Sequence, residues 1–348
     1  MKDCLEALEA AFVELAEGRS AYRRRSDICT PSDYAKDGMY VLKSMDGVMP
    51  ALGVAAVRIN SDIVSFPEVG GTMRKVKVPA APNDRYTGLV LLFSTRTGEP
   101  LAIFPDGVMQ PMRVAATSAL GAMCLARDDA HTVAILGCGW QARSQARAIV
   151  EVRNVKAMRC YSPSATSRET FAREMSPLIG VDITPMTSAA AAAAGADIVL
   201  CATNSSAAVL QPEWIEKGMH LSAIQPHEIG IDSIRKADVV ATLVADGEPD
   251  YITTHGIRDS DDPKGSLAKP SEDIWRNAIT LPTLLSDRKL GRNASRGRTG
   301  RDQVTCFLNP LGVGLQFAAV GAVIYRRAIE RGRGNAVPTD WFTEKEIP

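Results

Sequence analysis

Residues 133–149 read VAILGCGWQARSQARAI, an apolar run of strand length that meets two closely spaced glycines and continues as a helical pattern. No other feature of the sequence constrains the fold as strongly. In the pattern G-x-G-x-x-A, Gly137 permits a tight turn, Gly139 lets the backbone approach a diphosphate, and Ala142 lets the helix pack close to the sheet. We therefore predict that Gly137, Gly139, Trp140, Gln141 and Ala142 form a dinucleotide-binding turn, with the helix N-terminus facing the phosphates. The alternative is a glycine-rich turn without a ligand.

Strand and helix patterns alternate around and after this turn, over about residues 131–290, which indicates a parallel sheet with right-handed crossovers. Residues 40–105 show short strand patterns, after an amphipathic helix over residues 1–20 and a polar stretch, 21–37, that we interpret as a loop. A long helical pattern follows near the end of the chain. The predicted fold class is α/β: a Rossmann-type doubly wound parallel sheet (119–295) inserted in a discontinuous α+β domain for substrate binding and dimerisation (1–118 with 296–348).

Composition and charge argue against several classes of function. Lysine plus arginine and aspartate plus glutamate each number 40, so net charge gives no attraction to nucleic acids or membranes. No apolar run reaches the roughly 18 residues of a membrane span. Acidic residues interrupt the N-terminal stretch, which does not resemble a secretory signal. Seven scattered cysteines indicate reduced thiols and a cytoplasmic protein, and four histidines without zinc spacing predict no metal site.

The end of the second strand of the parallel sheet bears on the choice of cofactor. An NAD site usually has a carboxylate there for the ribose diol, but residues 160–168 read CYSPSATSR. Ser162, Ser164 and Arg168 are suited to a 2′-phosphate, so we predict a preference for NADP(H), with NAD(H) possible. Alternatively, these hydroxyls cap the next helix. The strand pattern IVLCATN ends in three further residues that we expect at the cofactor: Ala202, Thr203 and Asn204.

Three segments show a resemblance to a known family. They are TGEPLAIFPDGVMQPMRVAATSALGAMCLAR, the turn ILGCGWQAR, and the closing segment QVTCFLNPLGVGLQFAAVGAVIYRRA. Together they resemble the ornithine cyclodeaminase/μ-crystallin family over nearly the whole chain. The resemblance implies a homodimer formed through the non-nucleotide domain. It also implies a substrate pocket between that domain and the nicotinamide, for an α-amino, α-imino or α-keto acid.

The same resemblance implies roles for individual residues. Arg113 falls on the family's carboxylate-binding arginine, although it could instead form a salt bridge at a helix start. Arg25 matches a second carboxylate-binding arginine. The family's cyclodeaminases also carry a lysine near this carboxylate; one alignment puts Arg58 at that position and another puts Lys75 there. Lys43 is a further candidate for the substrate pocket.

A second departure concerns the aspartate that cyclodeaminases use near the nicotinamide. Straight alignment puts His227 at this position, with Glu228 next to it. Histidine can exchange protons near neutral pH. The alternative is that His227 is only a polar loop residue. We predict catalytic roles for His227, Lys75 and Arg58, and the loss of the aspartate weakens ornithine cyclodeamination as the reaction.

The sequence therefore predicts an NAD(P)H-dependent oxidoreductase, either an imine reductase or an amino-acid dehydrogenase. One alternative is an ornithine- or lysine-type cyclodeaminase that recycles NAD within each turnover. Another is a non-catalytic, NADP-dependent binder of small molecules or an accessory subunit.

Overall fold

The computed structural model describes residues 1–69, 72–73, 76–245, 250–254, 272–291 and 296–345. The first part of the chain contains the helices and strands α1 (Lys2–Ala16), β1 (Ala21–Tyr22), β2 (Ser26–Ser32), β3 (Gly38–Met49), β4 (Val54–Ser65), β5 (Glu68–Val69), β6 (Thr72–Met73), β7 (Val76–Val78), β8 (Thr87–Ser94), β9 (Pro100–Pro105) and α2 (Met109–Leu125).

The second part adds the elements β10 (Thr132–Leu136), α3 (Trp140–Val152), β11 (Ala157–Tyr161), α4 (Ala165–Ile179), β12 (Ile183–Pro185), α5 (Ala189–Ala193), β13 (Ile198–Cys201), β14 (His220–Ala223), α6 (Pro226–Ile229), α7 (Ile231–Ile234), β15 (Val239–Thr242), β16 (Asp250–Thr253), α8 (Glu272–Asn277), β17 (Ile279–Thr280), α9 (Leu281–Lys289), β18 (Thr305–Leu308) and α10 (Gly314–Glu330).

The first sheet has the strand order β16-β2-β3-β4-β8-β9, with β1 beside β3 and β7 beside β4. Its pairs are antiparallel except for β16, which runs parallel to β2. Buried and partly exposed residues alternate strictly along β3 and β4, because successive side chains point to opposite faces of a strand. The buried face packs on α10 at the end of the strands that holds Met49 and Val54. The middle of this face carries the charged side chains of Lys43, Arg58 and Asp62. A second apolar cluster, which includes Met39, Val41 and Val64, lies at the other end.

The second sheet has the order β12-β11-β10-β13-β14-β18-β15-β17, and its pairs are parallel. The chain leaves β10 towards β11 on one side and returns to β13 on the other. This reversal of direction beside β10 is the switch point of a doubly wound sheet, where ligands bind at the carboxyl ends of the strands. The α/β fold class expected from the sequence is therefore confirmed.

Two strands cross the domain boundaries that the sequence suggested. β18 lies in the parallel sheet, although its residues fall in the segment 296–348 that was assigned to the other domain. β16 lies in the first sheet, although its residues fall in the segment 119–295 that was assigned to the nucleotide-binding domain. The expected division at 118/119 falls inside the helix α2, which packs against both α1 and α3. The two layers therefore exchange strands, and a division into domains at those exact positions stays a prediction.

The stretch 21–37 is not simply a loop, as its polar composition suggested. β2 forms within it because β3 pairs with seven of its residues and β16 pairs with four. Cys29 is fully buried on the inner face of the sheet. Tertiary pairing thus overrides a local sequence with weak strand propensity.

The N-terminus of α10 makes the closest approach between a helix and the first sheet. A Cβ atom at Gly47 would lie 2.3 Å from the backbone nitrogen of Leu315, and one at Gly314 would lie 2.0 Å from the backbone carbonyl carbon of Asp46. Glycine on both sides is what permits this contact. It carries Gln316 and Phe317, on the first turn of α10, towards the charged side chains in the middle of the buried face. Among the described helices, none is long and apolar enough to cross a membrane.

Candidate active site

The turn between β10 and α3 has the backbone that the sequence pattern requires. Gly137 adopts φ +109°, and a Cβ atom there would lie 2.3 Å from the carbonyl oxygen of Ala202. Gly139 has an extended backbone, and a Cβ atom there would meet no described atom within 4 Å. Ala142 is fully buried. The first glycine is thus needed for the turn itself, whereas the second leaves open space beside the N–H groups of the α3 N-terminus.

One residue of this turn, Gln141, connects it to α2. Trp140 is 59% exposed, at the open side of the turn. The amide Nε2 of Gln141 donates a hydrogen bond to Oε1 of Gln110 at 3.0 Å. The Oε1 atom of Gln141 is buried and has no partner among the described residues, so it is available to a ligand. Gln110 lies one helical turn before Arg113 on α2, which couples the turn to the charged part of the first sheet.

The loop after β11 holds the residues expected at a 2′-phosphate. The hydroxyl of Ser164 accepts a hydrogen bond from the backbone N–H of Ser167 at 3.2 Å and caps α4. Arg168 donates from Nη1 to the carbonyl oxygens of Ser162 at 3.0 Å and of Pro163 at 3.4 Å. The capping alternative therefore holds for Ser164, while Arg168 places a cation on the loop. Neither contact tests the choice between the two cofactors.

The loops after β13 and β14 are joined by a buried carboxylate. Glu228 accepts hydrogen bonds from the Thr203 hydroxyl at 2.8 Å and from the backbone N–H of Gln225 at 2.9 Å. Burial raises the pKa of Glu228, while these hydrogen bonds oppose the rise. Because Ala202, Thr203 and Asn204 follow β13 directly, Glu228 fixes the segment expected to border the cofactor.

His227 has one ring nitrogen already engaged. Its Nε2 lies 2.9 Å from the carbonyl oxygen of Ser205. Since a carbonyl only accepts, Nε2 carries the proton and Nδ1 keeps the lone pair of the neutral ring. Burial lowers the pKa of His227, opposed in part by this carbonyl. A neutral imidazole near pH 7 can accept a proton, but the bond to Ser205 directs this ring nitrogen towards the loop after β13.

Two of the three candidate arginines are paired with buried aspartates. Arg25 bonds both carboxylate oxygens of Asp27, at 2.6 and 2.5 Å. Arg58 donates from Nε and Nη2 to Oδ2 of Asp106, at 2.8 and 2.6 Å. Burial lowers the pKa of Arg58, and Asp106 opposes this effect. Each of the two arginines thus already has a compensating charge.

Arg113 differs from both. It is 5% exposed, and no carboxylate forms an ion pair with it in the part of the chain that the structure describes. Its Nη1 donates to the neutral Oε1 of Gln316 at 3.1 Å, and its Nε has no partner among these residues. Burial, followed by repulsion from Arg58, lowers the pKa of Arg113 to about 9. A buried cation in this state is a strong binding group for an anion.

The ring of Phe317 lies beside both Arg58 and Arg113. The Cζ atom of Arg113 lies 5.2 Å from its centroid and that of Arg58 lies 5.5 Å away. Aromatic faces attract guanidinium groups at such distances. Phe317 therefore stabilises two like charges side by side without neutralising either.

The lysine candidates have different outcomes. The ammonium group of Lys43 is buried, 2.8 Å from Oδ2 of Asp62, and Lys77 contacts the other oxygen of Asp62 at 2.9 Å. Burial raises the pKa of Asp62, but the two lysines outweigh this effect and lower it. Lys75 lies outside the described residues. The structure brings Lys43 and Arg58 to the same buried face of β3 and β4, and the role of each remains a prediction.

Several contributors to this site were missed by sequence reasoning: Asp106, Glu228, Gly312, Gln316 and Phe317. Glu228 had a visible signal, because Gln225 and Glu228 have the spacing of a helix capping box. The others lie inside the segments that carry the family resemblance, but their contacts could not be read from them. Those contacts depend on the register of the sheet or on a separation of 203 residues along the chain.

Comparisons with known proteins find relatives in both sequence and structure. A Δ1-pyrroline-2-carboxylate reductase of Bacillus thuringiensis is 26% identical over 250 residues, covering 72% of this chain and 74% of its own length. The mouse ketimine reductase mu-crystallin is 29% identical over 178 residues, about half of either chain. Thermococcus litoralis Δ1-pyrroline-2-carboxylate reductase, solved with NADH and L-proline, superposes with a TM-score of 0.73 at 25% identity and covers 97% of this chain and 96% of its own.

These relatives are imine and ketimine reductases, and cyclodeaminases are also represented among similar proteins. The model of the ornithine cyclodeaminase/mu-crystallin family matches residues 1–245, which include the dinucleotide turn, Arg58, Arg113 and His227. The chain belongs to the ornithine cyclodeaminase/mu-crystallin family.

Proposed function

We propose that the protein is an NAD(P)H-dependent oxidoreductase that acts as an imine reductase or amino-acid dehydrogenase on an α-imino, α-keto or α-amino acid. The observation that carries this proposal is the buried, unpaired cation of Arg113, one helical turn from the residue that bonds Gln141 of the dinucleotide turn. An anion site on α2, with the dinucleotide turn hydrogen-bonded to the same helix, suits a small carboxylic acid held beside a nicotinamide. The T. litoralis relative, solved with NADH and L-proline, supports this combination.

The cofactor would be held at the carboxyl ends of β10, β11 and β13. Gly137, Gly139 and Ala142 shape the turn for the diphosphate, with Trp140 and Gln141 at its rim. The 2′-phosphate of NADP(H) would bind at Ser162, Ser164 and Arg168, and Ala202, Thr203 and Asn204 would border the rest of the cofactor. When bound, the nicotinamide supplies or accepts hydride.

The chain's own residues would bind and orient the substrate. Arg113 takes the substrate carboxylate, because among the three candidate arginines it is the one without an acidic partner in the described residues. Arg58 and Arg25 would bind the same carboxylate only by sharing or exchanging Asp106 and Asp27. Lys43 is likewise paired, with Asp62, so Arg113 is the candidate cation whose charge is left for the substrate. His227 or Lys75 would exchange the proton that accompanies reduction.

A homodimer would form through the outer face of the first sheet. This face presents apolar side chains from adjacent strands, with Leu89 and Ile103 41% and 48% exposed. Val57 is opposite Leu91 on β8, and Leu91 is opposite Ile103 on β9. Contiguous exposed apolar surface of this kind is typical of an interface between subunits.

The function is tested by a cofactor-consumption assay. Purified protein is mixed with NADPH or NADH and with Δ1-pyrroline-2-carboxylate or 2-keto acids plus ammonia or amines, and absorbance at the nicotinamide band is followed. We expect oxidation of the cofactor that depends on the substrate. Release of ammonia from ornithine or lysine without net cofactor consumption would identify a cyclodeaminase instead. Binding of cofactor and acid without turnover would identify a binder.

Gly139→Val is expected to abolish dinucleotide binding and leave the fold intact. The added side chain enters the open space beside the α3 N-terminus, and the extended backbone tolerates it. Gly137→Ala is the contrasting variant, because it strains φ +109° and should lower the melting temperature. Fluorescence titration and thermal melting of both variants provide the measurement. Undiminished binding by the Gly139→Val protein contradicts the placement.

Titration of the wild-type protein with both cofactors is expected to show tighter binding of NADP(H). Arg168→Ala should weaken NADPH binding by about tenfold or more, since hydrogen bonds to charged groups are worth about 1.5–3 kcal/mol. NADH binding should not change. Tighter binding of NADH by the wild-type protein would show that this loop serves a ribose diol.

Arg113→Ala is expected to lower kcat/KM by roughly 30- to 5,000-fold, because a buried charge-assisted contact is worth on the order of 2–5 kcal/mol. Cofactor affinity should hardly change. Arg113→Lys should recover little activity, since an ammonium cannot reproduce the two-pronged guanidinium. Melting temperature and kcat/KM are measured on the same preparation. A variant that loses stability but keeps its turnover per folded site would assign Arg113 a structural role only.

The pH dependence of substrate binding follows from the same arginine. The pKa of Arg113 is about 9, and its cationic form binds a carboxylate. Affinity is therefore expected to be retained below pH 9 and to fall as the pH rises through that value. An affinity that stays flat up to pH 11 argues against this cation as the binding group.

Ile103→Asp is expected to convert the dimer into a monomer, because a charge would replace an exposed apolar side chain of the proposed interface. Leu178→Asp, on the 64% exposed Leu178 of α4, is the matched control and should remain dimeric. Sedimentation velocity measures both. A dimer that survives Ile103→Asp uses another surface.

A further inference from the structure

The partner of Arg113 is unusual in being an uncharged side chain. Arg25 and Arg58 each meet an aspartate, whereas Arg113 meets the amide of Gln316. The three arginines lie close enough for their charges to affect one another. The aspartates compensate the charges of Arg25 and Arg58, whereas the amide leaves the positive charge of Arg113 available to a ligand.

Gln316 has a single possible orientation. Its Oε1 accepts from Nη1 of Arg113 at 3.1 Å and from the backbone N–H of Val313 at 3.0 Å. Its Nε2 donates to the hydroxyl of Thr117 at 2.6 Å, and that hydroxyl donates to the carbonyl oxygen of Arg113 at 2.8 Å. Gln316 and Thr117 are fully buried. Reversing the amide would set donors against donors, so the oxygen must face Arg113.

The segment around Gln316 fits closely around the guanidinium. A Cβ atom at Gly312 would lie 2.0 Å from Nη1 of Arg113, and Phe317 supports the guanidinium from its ring face. Residues 312–317 thus restrain Arg113 by an amide oxygen, a bare backbone and an aromatic ring. None of these three groups carries a charge.

Stability alone would favour glutamate at position 316. Glu and Gln at the third position of a helix serve equally well as acceptors for the backbone N–H of the N-cap residue, here Val313. A carboxylate at this position interacts better than an amide with the positive end of the helix. A carboxylate would also compensate the buried charge of Arg113. Helix capping and burial therefore do not explain the amide, whereas a requirement to keep Arg113 charged and unpaired does.

We propose that Gln316 is a positioning residue that orients Arg113 with a neutral acceptor and so reserves the full charge of its guanidinium for the carboxylate of the substrate. This inference rests on the proposed function, in which Arg113 binds that carboxylate. It adds that specificity for an anionic substrate depends on an uncharged residue of α10.

The experiment compares Gln316→Glu with Gln316→Met in the full-length protein loaded with cofactor. Glutamate and methionine are both close in size to glutamine. Glutamate adds a negative charge, and methionine removes the hydrogen bonds of the amide. KM and kcat for Δ1-pyrroline-2-carboxylate, cofactor affinity and melting temperature are measured for each. The Thr117 hydroxyl can turn its proton towards a carboxylate, so Gln316→Glu keeps a partner for every buried polar atom.

We expect Gln316→Glu to raise KM by about tenfold or more, because the new carboxylate competes for Arg113. Its melting temperature should equal or exceed that of the wild-type protein, and its cofactor affinity should be unchanged. Gln316→Met should lower the melting temperature. A gain in stability together with a loss of substrate affinity is a result that a purely structural glutamine would not produce.

Arg113→Ala, measured in parallel, separates the two levels of inference. If it leaves KM unchanged, Arg113 does not hold the carboxylate, and the proposed function fails with the present proposal. If it raises KM while Gln316→Glu does not, the proposed function stands and the role of Gln316 is overturned. A Gln316→Glu protein that melts below the Gln316→Met protein would also overturn it, since the carboxylate would then not pair with Arg113.

Discussion

The packing of α2 between the two sheets is the constraint on which the other features depend. Thirteen of its 17 residues are buried, and the apolar side chains among them contribute to the hydrophobic clusters of both layers. Small side chains permit this: a Cβ atom at Gly121 would lie 2.5 Å from the ring of Phe307 on β18. A helix enclosed on nearly all sides cannot shift without disturbing both cores. Gln110 and Arg113, three residues apart on it, therefore have fixed positions relative to the dinucleotide turn and to the charged face of the first sheet.

Burial of an arginine does not by itself indicate a ligand site, as Arg153 shows. Arg153 is 9% exposed and burial lowers its pKa, as for Arg113. Its nitrogen atoms, however, donate to carbonyl oxygens at the end of α2, including those of Ala122, Met123 and Ala126. These bonds satisfy the free carbonyls of a helix C-terminus. Arg113 has the same burial with fewer acceptors, and this deficit distinguishes a group available to a ligand from a structural one.

The parts of the fold that follow from local patterns could be predicted from the sequence. The strand, turn and helix around Gly137 and Gly139 were predicted because turn geometry depends on residues next to each other. β2 and β18 were not, because a polar strand and a four-residue strand are stabilised by their neighbours in the sheet. The site divides in the same way. Arg113 was identified from its surrounding motif, but its isolation from acids, and the pairing of Arg58 with Asp106, require the register of strands that are far apart in sequence.

The position of β18 has a consequence for the order of folding. β18 separates β14 from β15 in the parallel sheet, and its residues come some sixty positions after β15 along the chain. During synthesis, the strands β10–β14 can assemble, but one edge of β14, whose side chains are all buried, stays open until β18 has left the ribosome. A nascent chain or fragment that ends before residue 305 therefore exposes an apolar strand edge. The nucleotide-binding half is for this reason not an autonomous module that could be excised or grafted onto another protein without the C-terminal segment.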